Sequence, residues 1–252
     1  MGHGALAAGA WGLLAGSALV IGALAGFYLR LPQRAIAAIT AFGSGVLISA
    51  LSLDLMEEAY REGGFTSTAI GFLGGALVYT LASMVLDKFG AKHRKRSGNQ
   101  QKSESQQPGS GLAIALGALL DGIPESIVIG VSMLEGKGVS MVAVVAIFLS
   151  NLPEGLSSSA GMKKAGRTAL YTFGVWIGIA LISSVAAWAG FAVFARFSIQ
   201  VIAGTTAIAA GAILSMLSDT MIPEAFEYAH GFTGLITVAG FLTAFLISKL
   251  GG

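Results

Sequence analysis

Long apolar stretches dominate this chain and constrain its fold more than any other feature. A membrane-spanning helix needs about 20 mainly apolar residues, and eight such stretches can be drawn. They run approximately over residues 5–29, 33–59, 66–89, 111–134, 138–162, 167–194, 198–222 and 231–250. Their length and their lack of alternating polarity argue against transmembrane β-strands. The sequence therefore predicts an all-α polytopic membrane protein with eight transmembrane helices, in a single domain over residues 1–252.

The distribution of charge supports this prediction. Charged residues make up 11% of the chain, against roughly 25% in a typical soluble domain, so a water-soluble surface cannot be built. A net charge of +2 gives no reason to expect a nucleic-acid partner. Cysteine is absent, which excludes disulfides and Cys-ligated metal centres. The predicted partner of the surface is the lipid bilayer.

Basic residues predict the orientation. When the N-terminus is placed outside, most of the 15 Lys and Arg residues fall in inside loops, as the positive-inside rule requires. Both termini are then outside, in a multi-pass protein of the plasma or inner membrane. The polar segment at about 91–110 is predicted to be a disordered cytoplasmic loop, and its Lys/Arg cluster is interpreted as a topology anchor.

Three carboxylates, Asp121, Glu125 and Glu154, lie well inside predicted spans. A carboxylate at mid-bilayer is costly and indicates a functional site. No span interior contains a Lys or Arg, which removes ion pairing as an explanation. Two explanations remain: the acids hold a cation, or they are protonated. Protonated acids would either take part in transport or form hydrogen bonds between helices as neutral groups.

The neighbours of these acids predict an oxygen-rich metal site. Each glutamate follows a proline, Pro124 or Pro153, and a proline inside a helix frees the carbonyl four residues earlier. Ser150 and Asn151 lie one turn before Glu154. Oxygen ligands of this kind suit a hard or borderline divalent ion.

Two internal echoes predict an inverted repeat. Residues 121–126 (DGIPES) and 150–155 (SNLPEG) share a polar residue, a Pro-Glu pair and a final small residue. A weaker echo links residues 55–59 (LMEEA) with 221–225 (MIPEA). Such matched segments in oppositely directed spans point to a transporter's binding site. The predicted architecture is a 3+2+3 bundle with its pseudo-twofold axis between spans four and five.

With these motifs the sequence resembles the ZIP family of metal transporters, the Zrt-, Irt-like proteins, over essentially its whole length. The fifth-helix motif His-Asn-x-Pro-Glu-Gly appears here as residues 150–155, with Ser150 in place of the histidine. In the fourth helix Asp121 replaces the histidine and Gly122 the asparagine. The resemblance implies an eight-helix inverted repeat, a homodimer, and uptake of Zn²⁺, Fe²⁺, Mn²⁺ or Cd²⁺ as substrate, without a cofactor.

Carried over to this sequence, the resemblance implies a transport site made of Asp121, Glu125, Ser150 and Glu154. In any second, adjacent site, Asn151 would join Glu125 and Glu154. Because both motif histidines are replaced, zinc selectivity is expected to fall, and one functional metal position per protomer is expected.

Other polar residues are candidates for the pathway. Asp54 and Glu58, near the outer end of span two, either guide cations at the entrance or form a solvated helix end. Asp219 lies deeper in span seven and is expected near the exit. Glu224 and His230 at the inner end are candidates for a handover site.

The predicted function is divalent metal cation transport, with the mid-membrane site on helices four and five. Two alternatives remain open: a proton-linked carrier of a small solute, and a non-transporting metal-binding relative. An intramembrane enzyme is not expected, since the chain has no His-Glu-x-x-His stretch and no Gly-x-Gly-Asp stretch.

Overall fold

The computed structural model describes residues 2–135 and 138–250, and all regular secondary structure within these ranges is helical. We number the α-helices in chain order. They are α1 Gly2–Tyr28, α2 Gln33–Ala50, α3 Met56–Lys88, α4 Ser110–Ser132, α5 Met141–Lys164, α6 Ala169–Phe194, α7 Ile199–Met216, α8 Ile222–Ala229 and α9 Thr233–Leu250. Each apolar stretch predicted from the sequence coincides with helical structure, so the prediction of an all-α protein is confirmed.

Within the described ranges, six continuous helical runs are long and apolar enough to cross a membrane. Two of them are much longer than a span: 33–88 has 56 residues and 199–250 has 52. A straight helix of that length is about 80 Å long, whereas the hydrocarbon core is about 30 Å thick. Each long run contains one residue with a non-helical backbone, Gly64 (φ 71°, ψ 172°) in the first and His230 (φ 45°) in the second.

Each long run also contains a π-helical turn. Leu51–Leu55 separates α2 from α3, and Leu217–Met221 separates α7 from α8. The helices before them, α2 and α7, both have 18 residues. Such π-turns are rare and often occur at functional sites. The segments 55–59 and 221–225, which echo each other in sequence, begin at the last residue of these two turns.

The helices pack in matched pairs. α1 packs on α5 as α6 packs on α4, α2 packs on α9 as α7 packs on α3, and α2 contacts α5 as α7 contacts α4. The largest of the other contacts, α1 with α6, joins the two sets. The two sets of contacts are related by one exchange of helices. It replaces α1 with α6, α2 with α7, α3 with α9 and α4 with α5, and the reverse.

Glycines fix the register of these pairs. A Cβ on Gly45 would lie 1.9 Å from the Thr237 carbonyl oxygen, and a Cβ on Gly211 would lie 1.9 Å from the Phe72 oxygen. A Cβ on Gly26 would lie 2.1 Å from the Leu156 carbonyl oxygen, and a Cβ on Gly190 would lie 2.8 Å from the Ile127 oxygen. In residue number, Leu156 of α5 is separated from Ile127 of α4 by the same amount as Glu154 is from Glu125. The packing register and the sequence echo therefore agree.

An apolar cluster lies on one side of the middle of the bundle. We call the end where α4 stops and α5 begins the outer end, and the opposite end, which carries residues 89–109, the inner end. Val128 and Ile129 follow Glu125 by one turn on α4, and Val144 and Ile147 precede Ser150 on α5. They pack with the buried residues Leu47, Leu51 and Leu55 of α2 and the first π-turn. We call these seven residues the apolar barrier.

Residues 89–109, the basic loop, fold against the inner end. The composition predicts disorder at about 91–110, but the structure has a short 3₁₀-helix, Ala91–His93, followed by turns, and Arg94, Lys95, Ser97 and Gln101 are buried. The reason for the difference is that the loop's polar groups find partners on the helices. The Gln101 amide donates to the carbonyl oxygens of Arg94, Arg96 and Ser158 at 3.0–3.1 Å.

Candidate functional site

Asp121, Glu125 and Glu154, which we call the acid cluster, lie in the middle of the bundle as the sequence predicts. Asp121 and Glu125 are each 1% exposed and lie one turn apart on α4. Glu154 is 4% exposed and lies on α5, which contacts α4. Both helices remain continuous through Pro124 and Pro153. Two neighbouring helices therefore bring three carboxylates into one buried region.

The expectation that these acids have no basic partner is wrong. Arg94 and Lys95, at the tip of the basic loop, reach into the bundle and are 2% and 3% exposed. Reasoning from the spans alone missed them because they belong to a loop. The available signal was the contrast between unpaired acids in the spans and a cluster of bases in the adjoining loop.

Arg94 holds Asp121 through a two-point ion pair. Its Nε and Nη2 each donate to one carboxylate oxygen at 2.9 Å. The Tyr79 hydroxyl, on α3, donates to the same carboxylate at 2.5 Å and accepts from Arg94 at 2.7 Å. Paired parallel hydrogen bonds of this kind are strong and directional. Gly117 makes room for the arrangement, since a Cβ there would lie 2.5 Å from the Arg94 side chain.

Tyr79 was not among the residues singled out from the sequence. It is 2% exposed and lies within an otherwise apolar part of α3. A buried tyrosine hydroxyl usually has a hydrogen-bond partner, and that rule was the only signal in the sequence that could have found it.

Lys95 bridges the two helices of the acid cluster. Its Nζ lies 2.8 Å from Glu154 on α5 and 3.3 Å from Asp121 on α4. One positive charge thus contacts carboxylates from both helices in a buried region, where charges need partners.

Glu125 differs from the other two acids. Both of its carboxylate oxygens are buried, and neither has a hydrogen-bond partner. The carboxylate is close enough to Glu154, Lys95 and Asp121 to interact electrostatically with each of them. An unpaired buried carboxylate is costly, so this group is expected to carry a proton or to bind a cation at some stage.

The two polar residues beside Glu154 make other contacts. Ser150 donates within its own helix, to the Ile147 carbonyl oxygen at 3.0 Å. The Asn151 amide donates to the Ala15 carbonyl oxygen on α1 at 3.0 Å. Across the described ranges, no group of three or more His, Asp or Glu side chains is arranged to hold a metal ion. In this conformation the acid cluster holds the loop's cationic groups instead.

The pathway candidates fall into separate regions. Asp54, Glu57 and Glu58 line a cavity of about 260 Å³ at the outer end, together with Ser132 and Ser140. One Asp54 oxygen accepts from Ser248, and the other has no partner.

Asp219 lines a cavity of about 160 Å³ next to Arg94, at the edge of the basic loop. His230, the remaining candidate, is exposed and lines a different cavity with Arg34 and Tyr228. Asp54 and Glu58 therefore line the same cavity, whereas Asp219 and His230 each line a different one.

Glu224 anchors the basic loop. Its carboxylate is fully buried and accepts from the backbone N–H of Ser97 at 2.9 Å and from the Ser97 hydroxyl at 2.5 Å. Arg96 contacts both Glu224 and Glu227. The sequence predicted Glu224 to be a handover ligand, whereas here it binds the loop.

A second anchor lies at the far end of the loop. Arg167 and the backbone N–H groups of Gly111 and Gly109 hydrogen-bond to Glu104 and lower the pKa of its carboxyl to about 2. Within the loop, burial lowers the pKa of His93, and the nearby charges of Arg96 and Lys92 lower it further. Protonation of His93 is therefore less favourable than protonation of a free imidazole.

Comparison with known proteins adds no further constraint on this site. No protein-family model matches the sequence, and no curated protein matches it.

Proposed function

We propose that this chain is a ZIP-like transporter of divalent metal cations, with its transport site between α4 and α5. The observation that carries the proposal is Glu125, a buried carboxylate without a hydrogen-bond partner, next to Asp121 and Glu154, which form ion pairs with Arg94 and Lys95 of the basic loop. Buried carboxylates at the centre of a membrane protein mark cation or proton pathways. Zn²⁺, Mn²⁺, Fe²⁺ or Cd²⁺ is the substrate, and no cofactor is involved.

We propose eight membrane crossings, and the two breaks support this number. If Gly64 and His230 each mark a turn at the membrane surface, the runs 33–88 and 199–250 give two spans each, and α1, α4, α5 and α6 give one each. Both termini then lie outside, in a plasma or inner membrane, as charge counting predicts. The matched helix pairs and the two π-turns support an inverted 3+2+3 repeat with its axis between α4 and α5.

For this function, we interpret the structure as a closed conformation. The apolar barrier covers the acid cluster on the outer side, and the basic loop covers it on the inner side. A metal ion with oxygen ligands at 2.0–2.6 Å requires Lys95 to leave Glu154 first. We infer that Glu125 and Glu154 then supply carboxylate ligands, and that Ser150 and Asn151 are available as further oxygen donors.

The composition of the site predicts its preference. With the described acid cluster offering oxygen donors and no imidazole, Mn²⁺ and Fe²⁺ are expected to compete well with Zn²⁺. The homodimer implied by the family resemblance remains part of the proposal. It plays no role in the site, whose groups all come from one chain.

Metal uptake into proteoliposomes tests the proposal. Saturable uptake of Mn²⁺, Zn²⁺, Fe²⁺ or Cd²⁺ is expected for the wild type and is expected to disappear in a Glu125→Gln/Glu154→Gln variant. Gln keeps the size of each side chain and removes its charge. The matched control is Glu62→Gln, which changes an acid on the surface. Equal uptake by the double variant and the control would overturn the proposed site.

A proton-linked carrier is the second candidate, and the same observation favours it, because an unpartnered buried Glu125 is also a good proton carrier. The two proposals separate in one assay. Metal transport requires uptake that depends on the metal, whereas a proton carrier moves protons across the vesicle membrane without any metal. A folded protein that moves neither ion would be a non-transporting relative.

A further inference from the structure

We infer that Lys95 is a tethered counter-cation that competes with the transported metal for Glu154, and that Asp121 with Arg94 docks the loop that carries it. This inference rests on the proposed function. It divides the acid cluster into a docking residue, Asp121, and two metal-binding residues, Glu125 and Glu154. Sequence reasoning assigned all three to the metal.

Saturation of Asp121 is the first argument. Its two oxygens accept hydrogen bonds from Arg94 Nε, Arg94 Nη2 and Tyr79, and Lys95 lies 3.3 Å away. A carboxylate offers about four acceptor positions, so little capacity remains for a metal. Asp121 is thus arranged to receive a guanidinium group, for which two-point contact from a planar fork is well suited.

The position of Lys95 is the second argument. Its ammonium nitrogen lies 2.8 Å from Glu154 and bridges α4 to α5. A lysine ammonium is a compact point charge on a flexible stem, so it can leave without moving the helices. When it leaves, Glu154 joins Glu125 as a second carboxylate without a partner, and the pair then attracts a divalent ion.

The anchoring of the loop is the third argument. Ser97 is held by Glu224, Gln101 by three carbonyl oxygens, and Glu104 by Arg167. These contacts lie around the Arg94–Lys95 tip and hold it close to the site, so Lys95 acts at a high effective concentration. A metal ion must therefore compete with a cation that belongs to the same chain.

Thiol labelling reads the exchange directly, because the chain contains no cysteine of its own. Within the docked loop Ser97 is buried, whereas Asn99 is exposed. A hydrophilic maleimide is therefore expected to label Ser97→Cys slowly and Asn99→Cys fast in the purified protein. Mn²⁺ or Zn²⁺ in the solution is expected to speed the labelling of Ser97→Cys. A second substitution, Glu154→Gln, is expected to abolish that effect of the metal.

Lys95→Met tests the role of the ammonium group. It keeps a long flexible side chain and removes the charge, and Lys92→Met is the matched control on an exposed lysine of the same loop. Labelling of Ser97→Cys is expected to rise about tenfold with Lys95→Met, the effect of losing one hydrogen bond between charged groups. The half-saturating metal concentration for uptake is expected to fall by a similar factor. Lys92→Met is expected to change neither.

Several outcomes would overturn the inference. Fast labelling of Ser97→Cys without metal, or equal effects of Lys95→Met and Lys92→Met, would show that Lys95 does not hold the loop. Labelling that metal leaves unchanged would remove the competition, and this arm needs no Lys95 variant to fold. Metal-accelerated labelling in a protein that takes up no metal would support the exchange and overturn the transporter proposal.

Discussion

Toward the outer end, aliphatic side chains such as Leu51 and Ile147 separate the acid cluster from solvent, whereas toward the inner end charged side chains of the basic loop cover it. The outer closure consists of packed helices and the π-turn Leu51–Leu55. The inner closure consists of one loop, held by hydrogen bonds and ion pairs. Aliphatic side chains offer the carboxylates no alternative partner, but Arg94 and Lys95 do.

The difference has a mechanistic consequence. A closure made of apolar packing opens only when helices move, because each packed side chain loses its contacts. A closure made of ion pairs opens when another cation takes the acid, and no helix has to move. The two sides of one site are therefore expected to respond to different perturbations, packing on the outer side and cations on the inner side.

The largest effect is expected from the outer barrier. Leu51→Ala removes a side chain that is 3% exposed, whereas Leu53→Ala changes a neighbour that is 38% exposed. Leu51→Ala is expected to lower the free energy of unfolding by about 2–5 kcal/mol, as cavity-forming changes do, and Leu53→Ala by much less. Denaturant unfolding of the purified protein measures both. Equal losses would show that Leu51 is not part of a packed barrier.

A smaller effect is expected where the basic loop meets α5. A Cβ on Gly161 would lie 2.0 Å from the Arg96 carbonyl oxygen, so Gly161→Ala forces the loop away at a cost of about 1–3 kcal/mol. Labelling of Ser97→Cys is then expected to accelerate while the helices stay folded. Gly174→Ala is the control, since nothing lies within 4 Å of a Cβ there. Unchanged labelling in Gly161→Ala would contradict the docking of the loop on α5.

The acid-lined outer cavity is expected to contribute by attraction alone. Asp54→Asn with Glu57→Gln removes two of the charges that line it. The half-saturating metal concentration is expected to rise about two- to fivefold at low salt and to return toward the wild-type value at high salt, because the attraction is long-range and salt screens it. Uptake assays at two ionic strengths measure the change. Complete loss of transport at both would indicate that these acids bind the metal directly.

The smallest effect is expected from pH at the loop's second anchor. A carboxyl whose pKa is lowered to about 2 stabilises the docked loop fully above its ordinary value of 4.5, and loses that contribution as the pH falls through about 2. The Glu104–Arg167 contact is thus expected to be constant between pH 5 and pH 8. The labelling rate of Ser97→Cys is measured with and without Glu104→Gln. The ratio of the two rates should stay constant over that pH range. A ratio that changes near neutral pH would assign the anchor to another group.

Much of the scaffold could be predicted from the sequence. Apolar length predicts the helices, and the cost of burying a carboxylate singles out Asp121, Glu125 and Glu154, all of which are buried. The segments 121–126 and 150–155 are separated by the same number of residues as the matched packing positions on α4 and α5. The sequence echo therefore locates equivalent positions on these two helices.

The closure of the site could not be predicted in the same way. Polar composition indicates disorder when the loop is considered alone, yet Arg94 and Lys95 are ordered by carboxylates that come from α4 and α5. Tyr79 and Glu224 gain their roles from the same long-range contacts. Patterns within one segment carry no information about which distant segment supplies its partner.

Locating the metal in a metal-bound structure tests the central claim most directly. The protein, purified with Mn²⁺ or Cd²⁺, is expected to show one metal ion between Glu125 and Glu154, with Lys95 withdrawn from hydrogen-bonding distance of Glu154. A metal ion bound elsewhere, or no ion at saturating metal with the Lys95–Glu154 contact of 2.8 Å still intact, would contradict the account.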